Sequence, residues 1–208
     1  MEKRAYDIFS RSNREVGIKI IPGHFATRHS HVNYCVDMTQ VKSDLVSSKV
    51  AAKLFADGFS STPVDTIITL DRMKMVGAFL AQYLANSHIN GGVNIGVITP
   101  EISDEKMLLR DNFLSYVKDR NVLLLTASAT TGKDVNSVVE GIRYYGGVPA
   151  GVATVFGGNF NCSVPIVKLF GIEDLPDYSS YVPVECPLCK KGVKVDAVVN
   201  SYGYSKII

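Results

Sequence analysis

Three helices are predicted from apolar residues that recur at helical spacing along the chain. Their buried faces are expected to consist of Val46, Val50 and Leu54 in the first helix, Met73, Val76, Gly77, Leu80 and Leu84 in the second, and Val135, Val138, Val139 and Ile142 in the third. Ser43 or Asp44 suits the N-cap of the first helix, because short polar side chains accept hydrogen bonds from the first free amides. Residues 103–118 have only partial helical spacing among many charges, so this stretch is either a helix or a mobile loop.

Five short apolar runs between these helices predict strands. The runs are residues 64–70, 94–99, 121–125, 148–156 and 165–170. Strands that alternate with helices are typical of an α/β fold with a central parallel sheet of about five strands, flanked by helices. The run 121–125 is apolar throughout, as expected of a central strand covered on both faces. No linker or repeat divides the chain, so we expect a single domain over 1–208, with a core at 43–170 and a small hood from 1–42 and 171–208.

Composition narrows the class of protein. Of 208 residues, 46% are hydrophobic and 20% are charged, which is typical of a globular domain and excludes a disordered tail or a coiled coil. The formal charge of +2 lacks the basic excess of proteins that bind nucleic-acid phosphates, so no nucleic-acid partner is expected. No apolar stretch approaches the roughly 18 residues of a membrane span, and the N-terminal stretch lacks the apolar run of a secretory signal. We therefore expect a cytoplasmic protein without a membrane partner.

The segment after the run 121–125 consists of small and hydroxyl residues. It contains Ser128, Ala129, Thr130, Thr131, Gly132 and Lys133, between a predicted strand and a predicted helix. Such a turn gathers unpaired backbone N–H groups at the positive end of the helix dipole, and small side chains let an anion approach closely. In open α/β sheets, ligands bind at the carboxyl ends of the strands, where this turn lies. The pattern therefore predicts a phosphate site at residues 128–133, and a tight strand–helix turn without a ligand is the alternative.

The same segment is similar to the signature of a known family. NVLLLTASATTGKD resembles the phosphoribosyl-diphosphate motif of type I phosphoribosyltransferases, in which four apolar and two acidic residues precede a hydroxyl-rich loop ending in Thr-Thr-Gly. Residues 122–125 match the apolar positions, and Thr130, Thr131 and Gly132 match the loop that holds the 5′-phosphate in that family. Thr126 and Ala127 stand on the ribose side, where the family has its two acids. The acidic pair is therefore missing.

Within this family, the likeness is to orotate phosphoribosyltransferase and extends over most of the chain. The stretches 23–25, 28–30 and 34–37 are similar to those that form the hood of such enzymes and open their nucleobase pocket. Residues 65–84 match the strand and helix that flank their pyrophosphate loop, which is usually built of small residues. The resemblance implies that this loop here consists of Asp71, Arg72, Met73 and Lys74. It also implies that Arg72 and Lys74 donate to pyrophosphate, and that the protein is a homodimer.

A mobile loop of such enzymes, which supplies cations to the departing pyrophosphate, falls on residues 101–112 of this chain. The Lys-x-His-Gly type motif of that loop is absent, and Lys106 and Arg110 are the cations of this stretch and the catalytic candidates. Their spacing of four predicts one helical face, for which a solvated surface is the alternative interpretation. The transferase reaction needs acids near the ribose hydroxyls and cations, usually including Mg²⁺, on pyrophosphate.

Three functions are consistent with these patterns. The first is a phosphoribosyltransferase with an altered catalytic set that acts on orotate or another nucleobase. The second is a catalytically degenerate regulator that binds phosphoribosyl diphosphate or a nucleotide 5′-phosphate and reports it to a partner. The third is a nucleotide hydrolase, because residues 127–134 approximate a P-loop, although the first glycine and the final hydroxyl of that motif are replaced by Ala127 and Asp134.

Two cysteines near the end of the chain resemble half of a zinc site. Cys186 and Cys189 have the spacing of a zinc knuckle, and a structural zinc ion needs four ligands. Cys162 or Cys35 of the same chain, or a second subunit, would have to complete the set.

The histidines of the N-terminal segment lie near the expected base pocket. His24, His29 and His31 have spacings of five and two, which fit no standard metal pattern. A neutral imidazole there would hydrogen-bond a substrate carboxylate or carbonyl, and a structural role is the alternative.

Overall fold

The structure, a computed structural model, describes residues 1–104 and 106–207. Glu105 and Ile208, which belong to the predicted loop 101–112 and the predicted hood, lie outside the described residues. The helices within the described ranges are α1 (Thr39–Ser43), α2 (Leu45–Gly58), α3 (Lys74–Ala85), α4 (Lys133–Tyr144) and α5 (Pro187–Lys190). The strands there are β1 (Tyr6–Phe9), β2 (Gly17–Ala26), β3 (His31–Asp37), β4 (Thr66–Thr69), β5 (Gly96–Ile98), β6 (Glu101–Ser103), β7 (Lys106–Leu108), β8 (Asn121–Ala129), β9 (Val148–Gly157), β10 (Ile166–Gly171), β11 (Ser180–Tyr181), β12 (Ala197–Asn200) and β13 (Gly203–Lys206).

The central sheet contains the five predicted strands, all parallel, in the order β10-β9-β8-β4-β5. The strand formed by the run 121–125 is central, as predicted. Leu123 and Leu125 of β8 pack into the apolar core on one face of the sheet, and Val122 and Leu124 pack into the core on the other. Because successive side chains of a strand point to opposite faces, burial on both sides explains why this run has no polar position.

Helices cover both faces of this sheet. Phe55 of α2 and Leu80 of α3 belong to the core on one face, and Val138 of α4 belongs to the core on the other. Every residue predicted to be buried in α3 and α4 is buried. The α/β class with flanking helices is therefore confirmed. Among the described residues, no helix is both long enough and apolar enough to cross a membrane.

The buried face of α2 differs from the prediction. Asp44 caps this helix, since its side chain accepts a 2.9 Å hydrogen bond from the Ser47 amide. However, Val46 is 54% exposed, and Val50 and Leu54 are only partly buried. The buried residues are Ser47, Ser48, Ala51, Ala52, Phe55 and Ala56. All of these except Phe55 are small, which lets α2 lie close to α3 and β10, so residue size, and not hydropathy alone, decides which face is buried.

The described residues of 103–118, a stretch that the sequence left open, contribute to a pair of strands and a 3₁₀-helix. β6 and β7 pair antiparallel, and a 3₁₀-helix at Asp111–Tyr116 follows them. Met107 is buried against α4 and its neighbours. The prediction that Lys106 and Arg110 share a helical face is therefore wrong, because strand pairing places Lys106 opposite Ser103 and leaves Arg110 outside the hairpin.

The predicted hood is a second sheet made from both ends of the chain. Its strand order is β11-β3-β2-β12-β13. In addition, β1 pairs antiparallel with the first part of β2. β2 and β3 form an antiparallel hairpin, and β12 joins β2 in parallel where Phe25 faces Ala197. A separate apolar core beneath this sheet contains Phe25, Cys35 and Ala197. The hood therefore holds the two ends of the chain together over the edge of the central sheet.

Candidate functional site

A cleft of about 1200 Å³ lies between the carboxyl edge of the central sheet and the hood. On the sheet side it is lined by the residues that follow β4 and β5, by the end of β8 and by the start of α4. On the hood side it is lined by the β2–β3 turn, by β3 and α1, and by the β12–β13 turn. This is the position at which open α/β sheets bind ligands.

The predicted phosphate segment lies on this cleft, but its loop is shorter than expected. All six residues from Ser128 to Lys133 line the cleft. β8 continues to Ala129, because Ser128 and Ala129 pair in parallel with Phe156 and Gly157 of β9. The turn itself is therefore only Thr130, Thr131 and Gly132, and α4 begins at Lys133.

Gly132 sets the geometry of this turn. Its φ is +74°, in the left-handed region that favours glycine. A Cβ atom at this position would lie 2.2 Å from Cδ2 of Phe160, so a larger residue would collide with that ring. Gly132, the N-cap residue of the 12-residue helix α4, has no side chain to accept from the first amides, and the amide of Lys133 donates a long, 3.5 Å hydrogen bond to Oγ1 of Thr131. These amides and the helix dipole favour an anion at the cleft.

Asp71 lies against the two residues that replace the acidic pair. Its Oδ2 accepts a 2.6 Å hydrogen bond from Oγ1 of Thr126 and a 3.3 Å hydrogen bond from the amide of Ala127. The register explains this contact, because Thr69, the last residue of β4, faces Leu125 of β8, so the residues just after β4 lie beside Thr126 and Ala127 of β8. Both hydrogen bonds use Oδ2, and Asp71 lines the cleft. The arrangement places a carboxylate at the sheet edge although the motif itself has none.

Only half of the predicted pyrophosphate loop reaches the cleft. Asp71 and Arg72 line the cleft, and both have positive φ, 51° and 66°, a backbone conformation that costs free energy in residues other than glycine. The guanidinium carbon of Arg72 lies 4.6 Å from the ring centroid of Tyr202 in the β12–β13 turn. Met73 is fully buried in the core, and the exposed Lys74 does not line the cleft. The expectation that all four residues form a ligand loop is therefore corrected for Met73 and Lys74.

Lys42 is a cleft cation that the sequence analysis missed. Its Nζ donates a 3.1 Å hydrogen bond to the carbonyl oxygen of Ser201, joining α1 to the β12–β13 turn. Burial lowers the pKa of Lys42, while the charges of Asp71 and Asp37 oppose this shift. No motif marks Lys42, because it lies in an ordinary polar stretch before the first predicted helix. Only the folding of the hood over the sheet brings it to the cleft.

The two catalytic candidates from the predicted mobile loop do not line the cleft. Arg110 forms an exposed ion pair with Glu101. Lys106 lies on β7, where it pairs with Ser103. Neither cation is positioned here to meet a ligand at the end of β8.

The hood wall of the cleft carries two groups that stay neutral near pH 7. Cys35 and Tyr178 line the cleft and are largely removed from water. Burial raises the pKa of the Cys35 thiol to about 12, with a further contribution from the charge of Asp37. Burial likewise raises the pKa of Tyr178 to about 12. Because the thiolate is the reactive form of cysteine, Cys35 is not suited to nucleophilic chemistry.

The histidines separate into two groups. His29 lines the cleft in the β2–β3 turn, as expected for a residue near a base pocket. His24 and His31 instead lie together with Cys186 and Cys189, and one ligand atom from each of the four lies within 4.8 Å of the others. Cys35 and Cys162, the residues expected to complete a zinc set, are not in this cluster.

Comparisons with known proteins show similarity to phosphoribosyltransferases in sequence and in fold. No protein-family model matches the chain. An orotate phosphoribosyltransferase from Chlorobium phaeobacteroides is 29% identical over 185 residues, which cover 86% of this chain and 88% of the relative. Adenine phosphoribosyltransferase from Trypanosoma brucei, solved with AMP, pyrophosphate and ribose-5-phosphate, has a TM-score of 0.56 at 16% identity, over 82% of this chain and 88% of its own. Orotate phosphoribosyltransferase from Mycobacterium tuberculosis, solved with Fe(III) dicitrate, has a TM-score of 0.51 at 16% identity, over 75% and 91%.

The chain has the type I phosphoribosyltransferase fold. Its sequence is similar to orotate phosphoribosyltransferases, as the motif and the hood segments indicated. Within this type I phosphoribosyltransferase fold, the turn Thr130–Gly132 follows the central strand and opens on the cleft. The chain differs from the family pattern at Thr126 and Ala127, which are both buried beside Asp71.

Proposed function

We propose that this protein is a phosphoribosyltransferase that binds phosphoribosyl diphosphate in the cleft and transfers the phosphoribosyl group to a nucleobase such as orotate. The observation that carries the proposal is the carboxylate of Asp71, 2.6 Å from Oγ1 of Thr126 at the sheet edge. The reaction passes through a ribose with oxocarbenium character, which a nearby negative charge stabilises. Asp71 supplies such a charge from the neighbouring strand, where the family motif supplies it from the central one.

The phosphate end of the ligand is assigned to the turn before α4. The amides of Thr131 and Gly132 would donate to the 5′-phosphate, and the dipole of α4 would add favourable charge. The hydroxyls of Ser128, Thr130 and Thr131 are further donors on the same wall of the cleft. Similarity to orotate phosphoribosyltransferases over 86% of the chain supports this orientation.

The diphosphate end is assigned to cations from both walls of the cleft, Arg72 on the sheet side and Lys42 and Arg28 on the hood side. Arg72 and Lys42 line the cleft next to Asp71, and Arg28 lines it from the β2–β3 turn. Charge-assisted hydrogen bonds from such groups to a phosphate are roughly twice as strong as neutral ones. Arg72 is held by its contact with the Tyr202 ring, which orders its side chain before a ligand arrives.

Magnesium fits this cleft as an ion shared with the diphosphate. Mg²⁺ in phosphate sites is usually held by one or two carboxylates and by oxygens of the substrate, and Asp71 provides one carboxylate here. When bound, the ion supplies positive charge to the leaving pyrophosphate. Thr126 would orient Asp71 through its hydroxyl, and Arg72 and Lys42 would hold the pyrophosphate in line with the ribose.

Calorimetry and a transfer assay together test this function. Purified protein is titrated with phosphoribosyl diphosphate and Mg²⁺, and pyrophosphate release is then measured with orotate, uracil, adenine, guanine and hypoxanthine in turn. We expect binding, and release that depends on one of the bases. Binding without release for any base would contradict the transferase and support the regulator, and hydrolysis of ATP would support the nucleotide hydrolase. A homodimer, as the resemblance implies, would give twice the chain mass by light scattering.

A further inference from the structure

Four metal-ligating side chains from distant parts of the chain meet in the hood, outside the cleft. His24 belongs to β2 and His31 to β3, while Cys186 and Cys189 flank the first turn of α5. One ligand atom from each of the four lies within 4.8 Å of the others. None of these residues lines the cleft, so the binding proposed above gives them no role.

The separations between these atoms match a tetrahedral zinc site. Sγ of Cys186 lies 3.5 Å from Nε2 of His24, and Sγ of Cys189 lies 3.6 Å from the same nitrogen. Nδ1 of His31 lies 3.2 Å from Sγ of Cys189 and 3.0 Å from Nε2 of His24. Zinc bonds of about 2.0 Å to nitrogen and about 2.3 Å to sulfur give edges of about 3.3 Å between nitrogens and about 3.5 Å between nitrogen and sulfur. The four side chains therefore already surround the position that one ion would take.

The second nitrogen of His24 has the partner that metal-bound histidines usually have. Nδ1 of His24 lies 2.8 Å from the carbonyl oxygen of Val193. A carbonyl oxygen only accepts, so Nδ1 carries the proton and the lone pair of Nε2 faces the cluster. Ligating histidines characteristically donate their other ring N–H to such an oxygen, which fixes the tautomer and the ring orientation.

Backbone hydrogen bonds fix the turn that carries Cys186 and Cys189. Cys186 is fully buried, and the amide of Gly192 donates a 2.9 Å hydrogen bond to the carbonyl oxygen of Cys189. Gly192 has a φ of +70°, a conformation that favours glycine. The turn is also tied to β2, because the amide of Asp196 donates to the carbonyl oxygen of His24 over 2.7 Å. These backbone contacts hold both sulfur atoms against the β2–β3 hairpin.

We propose that His24, His31, Cys186 and Cys189 bind one structural zinc ion. A set of two thiolates and two imidazoles fills all four tetrahedral positions, which is the pattern of structural rather than catalytic zinc. The ion joins the C-terminal turn to the hairpin whose connecting residues, Thr27–Ser30, line the cleft. Zinc therefore stabilises the hood wall of the ligand site without contacting the ligand.

Metal analysis of the purified protein tests the site directly. Protein is expressed in zinc-supplemented medium without a histidine tag, purified without chelators and analysed for metals by mass spectrometry. We expect one zinc ion per chain in the wild type, and less than about a tenth of that in Cys189→Ser, because three ligands hold zinc much more weakly than four. Cys162→Ser is the matched control, since Cys162 lies outside the cluster, and it should keep its zinc. A wild type without zinc, or an equal loss in Cys162→Ser, would overturn the proposal.

Cobalt substitution provides a second readout that does not depend on a variant folding. Zinc is removed from the wild type with a chelator and replaced by Co²⁺. We expect the intense visible bands of tetrahedral cobalt together with a thiolate-to-cobalt band in the near ultraviolet. A spectrum of octahedral cobalt, iron in place of zinc, or a Cys186–Cys189 disulfide in the isolated protein would each contradict a structural zinc site. Because these measurements need no substrate, their failure would leave the transferase proposal unaffected.

Discussion

The hydroxyl of Thr126 in β8 donates a 2.6 Å hydrogen bond to the carboxylate of Asp71, in the loop that follows the neighbouring strand β4. Thr126 stands at the first position of the missing acidic pair, so the neutral residue in the motif is in contact with an acid supplied from the adjacent strand. The amide of Ala127 donates to the same oxygen, which adds a second fixed contact. Asp71 is therefore held in place by the two residues that replaced the family's acids.

Replacing Asp71 with asparagine tests this role. Asp71→Asn keeps an oxygen that accepts from Thr126 but removes the negative charge, so we expect kcat for pyrophosphate release to fall about 100-fold. The unfolding temperature should stay close to that of the wild type. The control is Asp7→Asn, an exposed residue of β1 outside the cleft, which should retain wild-type kcat. Equal activity of Asp71→Asn and wild type would show that the carboxylate is not part of the mechanism.

Thr131→Asp tests the phosphate turn. Thr131 is exposed on the cleft, so an aspartate there leaves the core intact but repels a phosphate. We expect calorimetry to show an affinity for phosphoribosyl diphosphate lowered at least tenfold, since a single unfavourable charge contact of about 1.4 kcal/mol gives that factor. Ser61→Asp adds the same charge at an exposed position after α2, at the opposite edge of the sheet, and should bind like the wild type. Similar affinities for the two variants would refute the assignment.

Gly132→Val is expected to affect folding as well as ligand binding, although the sequence alone suggests an effect on binding. A valine would collide with the Phe160 ring and would need a positive φ. We therefore expect it to lower both ligand affinity and the free energy of unfolding, and denaturant unfolding would measure the second effect.

The buried thiol of Cys35 predicts a pH dependence of stability. Its pKa is about 12 in the folded protein, against 9.0 for an exposed thiol, so the folded state binds more protons in this range. The stabilisation is fully present below pH 9 and is lost as the pH rises towards 12. Urea unfolding between pH 8 and pH 11 should show a smaller fall in stability for Cys35→Ala than for the wild type. Cys162→Ala, a thiol deletion in another part of the core, is the comparison, and equal slopes for the wild type and Cys35→Ala would contradict the prediction.

Leu125→Ala tests the importance of the central strand. Leu125 is fully buried in β8, and truncation to alanine in such a core costs about 2–5 kcal/mol. Ile102→Ala, at a residue that is 45% exposed, should change stability by about 0.5 kcal/mol or less. Chemical denaturation of both variants measures the difference. A cost below about 1 kcal/mol for Leu125→Ala would mean that the strand is packed less tightly than described.

The sequence was sufficient for the parallel sheet, because the central strand β8 is buried on both faces and leaves an apolar run, and shorter apolar stretches mark its neighbours. It was insufficient for α2, where alanine and serine are buried and Val46 is exposed. Close packing between α2, α3 and β10 decides that face, and such a contact leaves no periodic signal in α2 itself. The hairpin at β6–β7 was missed for a similar reason, since two short paired strands bury little more than Met107.

For the candidate site, the local motif located the turn at the end of β8 but not the groups around it. Lys42 reaches the cleft only because the hood folds over the sheet, and the role of Asp71 depends on the register of β4 against β8. The four proposed zinc ligands are further apart still along the chain, with His24 and Cys186 separated by 162 positions. The spacing of neighbouring residues does not indicate contacts between such distant positions, although the Cys186-x-x-Cys189 pair did indicate half of the proposed zinc site.

Because β12 pairs with β2, the hood sheet is completed only after β12 has been synthesised. Residues of the central sheet are synthesised before β12, so that sheet is able to form while the last part of the chain is still being translated. The β2–β3 hairpin must wait for this neighbour until β12 has emerged from the ribosome. A nascent chain that stops before β12 therefore lacks one wall of the cleft and is not expected to retain the phosphoribosyl diphosphate that we propose as its ligand.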